Sequence, residues 1–170
     1  MTARPVSRFT PHPAGRSIAA APGGMGGDRL LRRSQARRLR VLIAEDDRDT
    51  ADSTALLVEL WGYAARVARD GPEALHLALA FRPHVVLLDI ALPGVDGYRV
   101  ASGLRQRRRT AATLLVAVTG YSDESYRLLA SQAGFDHYFV KPADLSFLQN
   151  LFAQAHERLV AAARRRTVAT

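Results

Sequence analysis

The sequence predicts an α/β domain in which a parallel sheet is covered by helices on both faces. From residue 39 onward, short apolar segments alternate with segments of helical periodicity, which is the pattern of strand–helix–strand units. The segments at 39–44 and 85–88 are almost entirely apolar, as expected for strands buried on both faces. The chain has 170 residues and is 48% hydrophobic, which is sufficient for one domain with a packed core.

Five strands and five helices are predicted in alternation. The strands are expected at residues 39–44, 64–68, 85–88, 114–118 and 137–140. The helices are expected at residues 50–60, 72–80, 98–107, 122–132 and 144–163. We expect Asp49 or Thr50 to cap the first helix, Pro72 to open the second, Ser122 to cap the fourth and Gly134 to end it. In open sheets of this kind the ligand crevice lies at the carboxyl ends of the strands.

The charge of the chain is unevenly distributed. The whole net charge of +8 resides in the first 40 residues, which contain nine arginines and one acid. Residues 41–170 contain equal numbers of basic and acidic residues. Residues 1–37 are rich in Arg, Pro and Gly, so we expect a disordered tail. The predicted organisation is therefore a tail at 1–37, a globular domain at 38–163 and a basic C-terminal tail at 164–170.

Composition excludes several classes of protein. The chain has no cysteine, which excludes disulfides and thiolate metal sites. It has neither an apolar segment of the ~20 residues that span a bilayer nor the pattern of a secretory signal peptide. We therefore expect a cytoplasmic protein without a membrane partner.

Polar residues follow four of the predicted strands at their carboxyl ends. They are Glu45, Asp46 and Asp47 after the first strand, Asp89 after the third, Thr119 and Gly120 after the fourth, and Lys141 and Pro142 after the fifth. Each is commonplace alone, as a helix cap, a turn former or a solvated charge. Together, the carboxylates would repel one another in one crevice unless a cation were present, and oxygen ligands of this kind suit Mg²⁺.

The remaining groups of the crevice favour phosphate chemistry. Lys141 is the only lysine of the chain, and an ammonium group is suited to pairing with a phosphoryl oxygen. The Thr119 hydroxyl and the Gly120 N–H are two further donors for an oxyanion. Asp89, a carboxylate nucleophile beside a metal and these donors, indicates formation of an acyl phosphate.

Residues 39 to about 155 resemble a response-regulator receiver domain of the chemotaxis-regulator type, the phosphorylated module of two-component signalling. The resemblance is carried by the motifs Leu42-Ile43-Ala44-Glu45-Asp46-Asp47, Val86-Leu87-Leu88-Asp89-Ile90-Ala91-Leu92-Pro93-Gly94-Val95-Asp96-Gly97, Val116-Ala117-Val118-Thr119-Gly120 and Tyr138-Phe139-Val140-Lys141-Pro142. It implies a flavodoxin-like doubly wound sheet with strand order 2-1-3-4-5. It also implies that Asp89 is the phosphoacceptor of a phosphoprotein.

The resemblance further assigns the metal ligands. Asp46 and Asp89 would bind Mg²⁺ directly, Glu45 would act through a water molecule, and the backbone carbonyl of Ala91 would complete the set.

The phosphate-binding and switch residues would be Thr119, Gly120, Lys141 and Tyr138, an aromatic residue that turns inward on activation. The resemblance also implies a cis Lys141–Pro142 bond. Ala91 and Tyr121 occupy the two positions that tune hydrolysis in the family. Ala91 has no group that could orient a water molecule, and the bulky Tyr121 would shield the phosphoryl group, so slow self-dephosphorylation is expected.

The functional expectation is a stand-alone, single-domain response regulator that is not an enzyme acting on a separate substrate. It would accept a phosphoryl group from a histidine kinase, hybrid kinase or phosphotransfer protein and signal through a conformational switch to a downstream protein target of unknown identity. OmpR-like members often have Phe after the Lys-Pro pair, where this chain has Ala143. The stretches Gly134-Phe135-Asp136-His137-Tyr138 and Lys141-Pro142-Ala143-Asp144 look more like those of receivers of hybrid histidine kinases. Few residues follow 163, so we expect no sequence-specific DNA binding, and a monomer or weak dimer.

Three alternatives remain open at this point. A haloacid-dehalogenase-like phosphatase would need a second Asp two residues beyond the nucleophile, where this chain has Ala91. A nucleic-acid binder could use the basic tail, which contains nine arginines in the first 40 residues but only one aromatic residue, Phe9. A degenerate receiver could serve only as a binding module, although its site residues are complete.

Overall fold

The computed structural model describes residues 38–168. The predicted disordered tail at 1–37 lies outside the described residues, as do residues 169 and 170.

Five parallel strands form one sheet in the order β2-β1-β3-β4-β5, which confirms the predicted flavodoxin-like topology. The strands are β1 (Arg40–Ala44), β2 (Ala64–Ala68), β3 (Val85–Leu88), β4 (Leu114–Thr119) and β5 (His137–Val140). In the register of the three central strands, Ala44 pairs with Leu88 and Leu88 pairs with Ala117. The carboxyl ends of these strands therefore lie side by side.

Five helices connect and cover the strands. They are α1 (Arg48–Leu60), α2 (Gly71–Phe81), α3 (Gly97–Arg105), α4 (Glu124–Ala133) and α5 (Leu145–Val168). None of the helices within residues 38–168 combines the length and the hydropathy required to cross a membrane.

The sheet separates two hydrophobic layers, because successive side chains of a strand point to opposite faces. Leu42 of β1 packs in the layer beneath α2 and α3, where it joins Val100 and Leu104. Ile43, the next residue, packs in the layer beneath α1 and α5 with Val58 and Phe152. Burial on both faces accounts for the nearly continuous apolar sequence of β1 and β3.

Two of the predicted helix starts are wrong. Helix α1 is capped by Asp47, whose carboxylate accepts a hydrogen bond of 2.8 Å from the N–H of Thr50, and not by Asp49 or Thr50. Helix α4 begins at Glu124 after Asp123, so Ser122 is not its cap. Several consecutive polar residues precede each helix, and composition alone does not distinguish which of them adopts the cap geometry.

The last helix is longer than its predicted extent. It continues to Val168 instead of ending at 163, so the arginines at 164 and 165 belong to a helix and not to a separate tail. Arg is a good helix former, and no glycine or proline interrupts this part of the sequence. Gly134 ends α4 in the left-handed conformation, at φ +96°, as predicted.

Candidate functional site

The predicted site residues meet at the carboxyl edge of the sheet. Glu45 follows β1, Asp89 follows β3, Thr119 ends β4 and Lys141 follows β5. Because the strands are parallel and in register, residues from distant parts of the chain become neighbours there.

Three carboxylates form a cluster that could hold a metal ion. Glu45, Asp46 and Asp89 each offer an oxygen, and these oxygens lie within 4.8 Å of one another. Glu45 and Asp89 are buried, with 6% and 7% of their surface exposed, whereas Asp46 faces solvent. The cluster therefore combines two buried acids with one that a hydrated cation could reach. Asp47 does not belong to it, since its carboxylate caps α1.

Lys141 joins the two buried acids. Its Nζ donates hydrogen bonds of 2.6 Å to Oε2 of Glu45 and 2.6 Å to Oδ2 of Asp89. Burial raises the pKa of the Glu45 carboxyl, and the hydrogen bond from Lys141 offsets this only in part. Burial alone would lower the pKa of Lys141, but its bonds to Asp89 and Glu45 outweigh burial and raise it. Lys141 is therefore held in its charged form.

The backbone fixes the position of Asp89. Its N–H donates to the carbonyl of Ala44 at 2.9 Å, and its Oδ1 accepts a 3.0 Å bond from the N–H of Ala91. Gly97, at the start of α3, lies directly behind it, because a Cβ on Gly97 would stand 2.4 Å from the Asp89 carbonyl oxygen. No role was predicted for Gly97, although it belongs to the motif that runs from Val86 to Gly97.

Thr119 provides an unusual polar group. Its side chain is fully buried, and its Oγ1 has no hydrogen-bond partner among the described residues. A buried hydroxyl without a partner is costly, by about 1–3 kcal/mol, unless a ligand or water satisfies it. Gly120 follows with open space around the position of a Cβ. A ligand oxygen beside the carboxylate cluster would supply the missing partner of Thr119.

The predicted switch and tuning residues lie in β5 and in the loops that follow β3 and β4. The hydroxyl of Tyr138 donates a 2.8 Å bond to the Tyr121 carbonyl, while the Arg127 guanidinium lies 4.9 Å from the centre of the Tyr138 ring. The ring of Tyr121 stacks on Tyr126 at 4.5 Å. Ala91 is exposed beside Asp89. The Tyr121 ring is thus engaged by α4, which the sequence did not indicate.

The Lys141–Pro142 peptide bond is cis, as the resemblance implies. A cavity of about 610 Å³ opens beside Glu45 and Lys141 and reaches Trp61 and Phe152 between α1 and α5.

This arrangement places the chain in a family. Residues 41–153 match the model of the response regulator receiver domain, and the chain belongs to that family. The protein is thus a receiver domain of a response regulator in two-component signalling. Membership also excludes the haloacid-dehalogenase alternative.

Curated relatives include longer regulators. The chain is 33% identical over 106 residues to the DNA-binding dual master transcriptional regulator RpaA of Synechocystis. The aligned region covers 62% of this chain and 44% of RpaA. It is 36% identical over 111 residues to response regulator MprA of Mycolicibacterium vanbaalenii, covering 65% of this chain and 47% of MprA. The chain therefore spans about half the length of these two relatives.

A shorter relative and two solved structures are also similar. An uncharacterised 14.6 kDa protein of Leptolyngbya boryana is 31% identical over 107 residues, covering 63% of this chain and 82% of that protein. A CheY-like receiver domain protein from Methanospirillum hungatei superimposes with a TM-score of 0.67 at 26% identity, covering 74% of this chain and 98% of the other. The receiver domain of sensor histidine kinase PA1611 from Pseudomonas aeruginosa, solved with a magnesium ion in its active-site cleft, has a TM-score of 0.65 at 24% identity, covering 71% and 98%.

The expectation of no sequence-specific DNA binding is wrong as an inference from this sequence. RpaA, a similar protein, is a DNA-binding regulator, and the match covers 44% of its length. A match limited to the receiver reports on the receiver alone. The small number of residues after 163 therefore gave no ground for excluding DNA as a partner.

Proposed function

We propose that Asp89 accepts a phosphoryl group from a histidine kinase or phosphotransfer protein and that this phosphorylation switches the conformation of the domain. One observation carries the proposal. Lys141 bridges Asp89 and Glu45 within a cluster of three carboxylates at the carboxyl edge of the sheet. A nucleophilic carboxylate, a metal-binding acid pair and a cation for the incoming phosphoryl oxygens are thereby gathered at one place.

Mg²⁺ is the metal we propose for the cluster. Asp46 and Asp89 would bind it directly, Glu45 through a water molecule, and the Ala91 carbonyl would add a fourth protein group. The donors are all oxygen atoms, as Mg²⁺ prefers, and two of the three carboxylates are buried close together. When bound, the ion would offset the negative charge of the phosphoryl group during transfer.

In the transfer, a carboxylate oxygen of Asp89 forms a bond to phosphorus while the bond from phosphorus to the donor breaks. The Ala91 N–H orients the Asp89 carboxylate through Oδ1. Lys141 already bonds Oδ2, so it is positioned to pair with a phosphoryl oxygen once that carboxylate carries the phosphoryl group as an acyl phosphate. The Thr119 hydroxyl and the Gly120 N–H are proposed to donate to the remaining oxygens.

The proposed switch depends on the Thr119 hydroxyl, which has no hydrogen-bond partner among the described residues. Formation of a hydrogen bond between Thr119 and the phosphoryl group would draw the end of β4 toward Asp89. Tyr121 lies two residues after Thr119, and its backbone carbonyl accepts the hydrogen bond from the Tyr138 hydroxyl. The movement of β4 would therefore be transmitted to Tyr138. We propose that Tyr138 then leaves Tyr121 and turns inward.

We further propose that the receiver, which includes helix α5 to Val168, acts as a single-domain regulator and that residues 1–37 flank it. Similarity over 82% of the 14.6 kDa protein of Leptolyngbya boryana supports a regulator of receiver size. The protein would catalyse only its own phosphorylation and slow dephosphorylation, and so is not an enzyme with a separate substrate.

Incubation of the protein with acetyl phosphate tests this proposal. In the presence of Mg²⁺ we expect the intact mass to rise by one phosphoryl group, and we expect EDTA to abolish the increase. Mg²⁺ alone should raise the melting temperature, because it relieves the repulsion among the carboxylates and binds only the folded state. The proposal would be contradicted if the mass did not increase. It would also be contradicted if neither the extent of labelling nor the melting temperature changed with Mg²⁺ or EDTA.

A further inference from the structure

Arginines are concentrated at the amino ends of the strands, on the edge of the sheet opposite Asp89. Arg40, His84 and Leu114 lie next to one another along this edge, where their backbones are hydrogen-bonded. An open depression of about 990 Å³ beside them is lined by five arginines: Arg40, Arg82, Arg105, Arg109 and Arg158. We call this surface the basic face.

Two of these arginines stabilise the fold. Nε of Arg40 donates to the Phe81 carbonyl at 2.9 Å, at the C-terminal end of α2. Arg105 donates to the Thr113 carbonyl at 2.6 Å and pairs with Asp136 at 2.6 Å. Cations at helix C-terminal ends commonly have this role. Among the described residues that line the depression, Asp136 is the single acid, and Arg105 already neutralises it.

The other three arginines have no such role. Arg82, Arg109 and Arg158 are exposed, and within residues 38–168 their guanidinium groups form neither an ion pair nor a hydrogen bond. Burial and the positive charge of Arg82 lower the pKa of Arg40, which is consistent with an excess of positive charge on this face. The basic face therefore presents three free guanidinium groups on a rigid support.

We propose that the basic face binds the phosphodiester backbone of a nucleic-acid duplex. Guanidinium groups bind phosphate oxygens through paired hydrogen bonds, and such contacts are independent of sequence. The chain enters the domain on this edge at Arg40, and the residues just before it, 29–38, contain five arginines and no acid. Three free guanidinium groups around an open depression of about 990 Å³ match a polymer with regularly repeated phosphates better than they match one small anion.

The chemistry of the lining favours a duplex over a single strand. Proteins that bind single strands stack bases on aromatic side chains. The described residues lining the depression include no Phe, Tyr or Trp. The binding mode that remains is contact between the arginines and the phosphodiester backbone of a duplex, without stacking on the bases.

The test uses the full chain and two variants of equal net charge. Arg82, Arg109 and Arg158 are changed to Gln in one variant, which removes the free groups of the basic face. Arg48, Arg66 and Arg99, which are exposed but do not line the depression, are changed to Gln in the control variant. Binding to a fluorescent DNA duplex and to an RNA duplex of the same mixed sequence is measured by anisotropy over a range of salt concentrations, and melting temperatures check that each variant is folded.

We expect the wild type and the control variant to bind with the same salt dependence. The basic-face variant should bind about tenfold more weakly or worse, and its slope of log K against log salt should be shallower by up to about three, since each phosphate contact contributes roughly 0.9. The duplex that is bound more tightly identifies DNA or RNA as the source of the phosphates. Equal binding by the two variants would overturn the proposal, because the flanking sequence alone would then account for the affinity. Displacement of the duplex by polyglutamate at the same charge concentration would also overturn it, in favour of an acidic protein surface.

Discussion

The ammonium group of Lys141 lies 2.6 Å from Oδ2 of Asp89, and it lies equally close to Oε2 of Glu45. The residues are separated by 52 and 96 positions in the sequence, so the sheet topology alone brings them together. Lys141 neutralises part of the negative charge that Glu45 and Asp89 share in a buried setting. The same group that stabilises the unphosphorylated site is therefore in place to receive the phosphoryl oxygens.

Replacement of Lys141 by Met should destabilise the protein in the absence of divalent cations. Two buried carboxylates would lose their shared counter-ion, which costs several kcal/mol in fully buried pairs. Since the Lys141 side chain is 30% exposed, we expect a smaller loss, about 1–3 kcal/mol in the free energy of unfolding. Mg²⁺ should recover more stability in this variant than in the wild type, because the ion takes over the neutralisation. Urea unfolding with and without Mg²⁺ measures both effects.

The control for this experiment is Arg99→Met, which removes a positive charge from a side chain that is 80% exposed. Its stability should change by no more than about 0.5 kcal/mol. If Lys141→Met is as stable as this control in Mg²⁺-free buffer, the lysine does not hold the acids together.

Introduction of a single methyl group at Gly97 should disturb the phosphoacceptor. The Cβ of Gly97→Ala would stand 2.4 Å from the carbonyl oxygen of Asp89 and 2.8 Å from the Cα of Ile90, so the backbone must shift. Forced overpacking of this kind costs about 1–3 kcal/mol, and the displaced Asp89 should be phosphorylated more slowly. Gly103→Ala, in the same helix, is the matched control, since its Cβ would meet only the ends of the Arg107 and Leu75 side chains, which can move. If the two variants had equal labelling rates and equal stabilities, the close packing of Gly97 against Asp89 would not be needed to position the phosphoacceptor.

Dephosphorylation should be slow, with a phosphoryl lifetime of minutes or longer. Ala91 is exposed beside Asp89 and has no polar side-chain atom to hold a water molecule in line, and the Tyr121 ring is stacked on Tyr126. Loss of orientation of this kind can cost ~10²-fold in rate. Ala91→Asn should therefore shorten the lifetime, by about tenfold, in a decay time course after removal of the phosphodonor. The exposed Ala112, in the loop before β4, provides the control Ala112→Asn. Wild-type decay within seconds, or the same decay in both variants, would contradict this explanation.

The carboxyl edge was predictable because its chemistry follows directly from the order of the strands. Each of Glu45, Asp89, Thr119 and Lys141 comes immediately after or at the end of an apolar strand, and parallel strands gather such residues. Their hydrogen bonds were not predictable, since the choice of Lys141 partners depends on side-chain packing. The unsatisfied hydroxyl of Thr119 likewise becomes apparent only from burial.

Other features escaped prediction for different physical reasons. Three consecutive acids follow β1, and only the backbone geometry shows that Asp47 is used as a helix cap while Glu45 and Asp46 join the cluster. The free arginines of the basic face, at 82, 109 and 158, are scattered in the sequence. They come together because the ends of α2 and α3 and the middle of α5 line one depression. The charge total of the chain gave no indication of that arrangement.

Asp89→Asn tests the central claim most directly. The change is nearly isosteric and leaves an acceptor for the Lys141 bond, so the fold should be retained. After incubation with acetyl phosphate and Mg²⁺, the intact mass of the wild type should increase by one phosphoryl group, while that of the variant should not change. Asp123→Asn, which alters an exposed acid at the start of α4, should be labelled like the wild type. Undiminished labelling of Asp89→Asn would contradict the assignment of Asp89 as the phosphoacceptor.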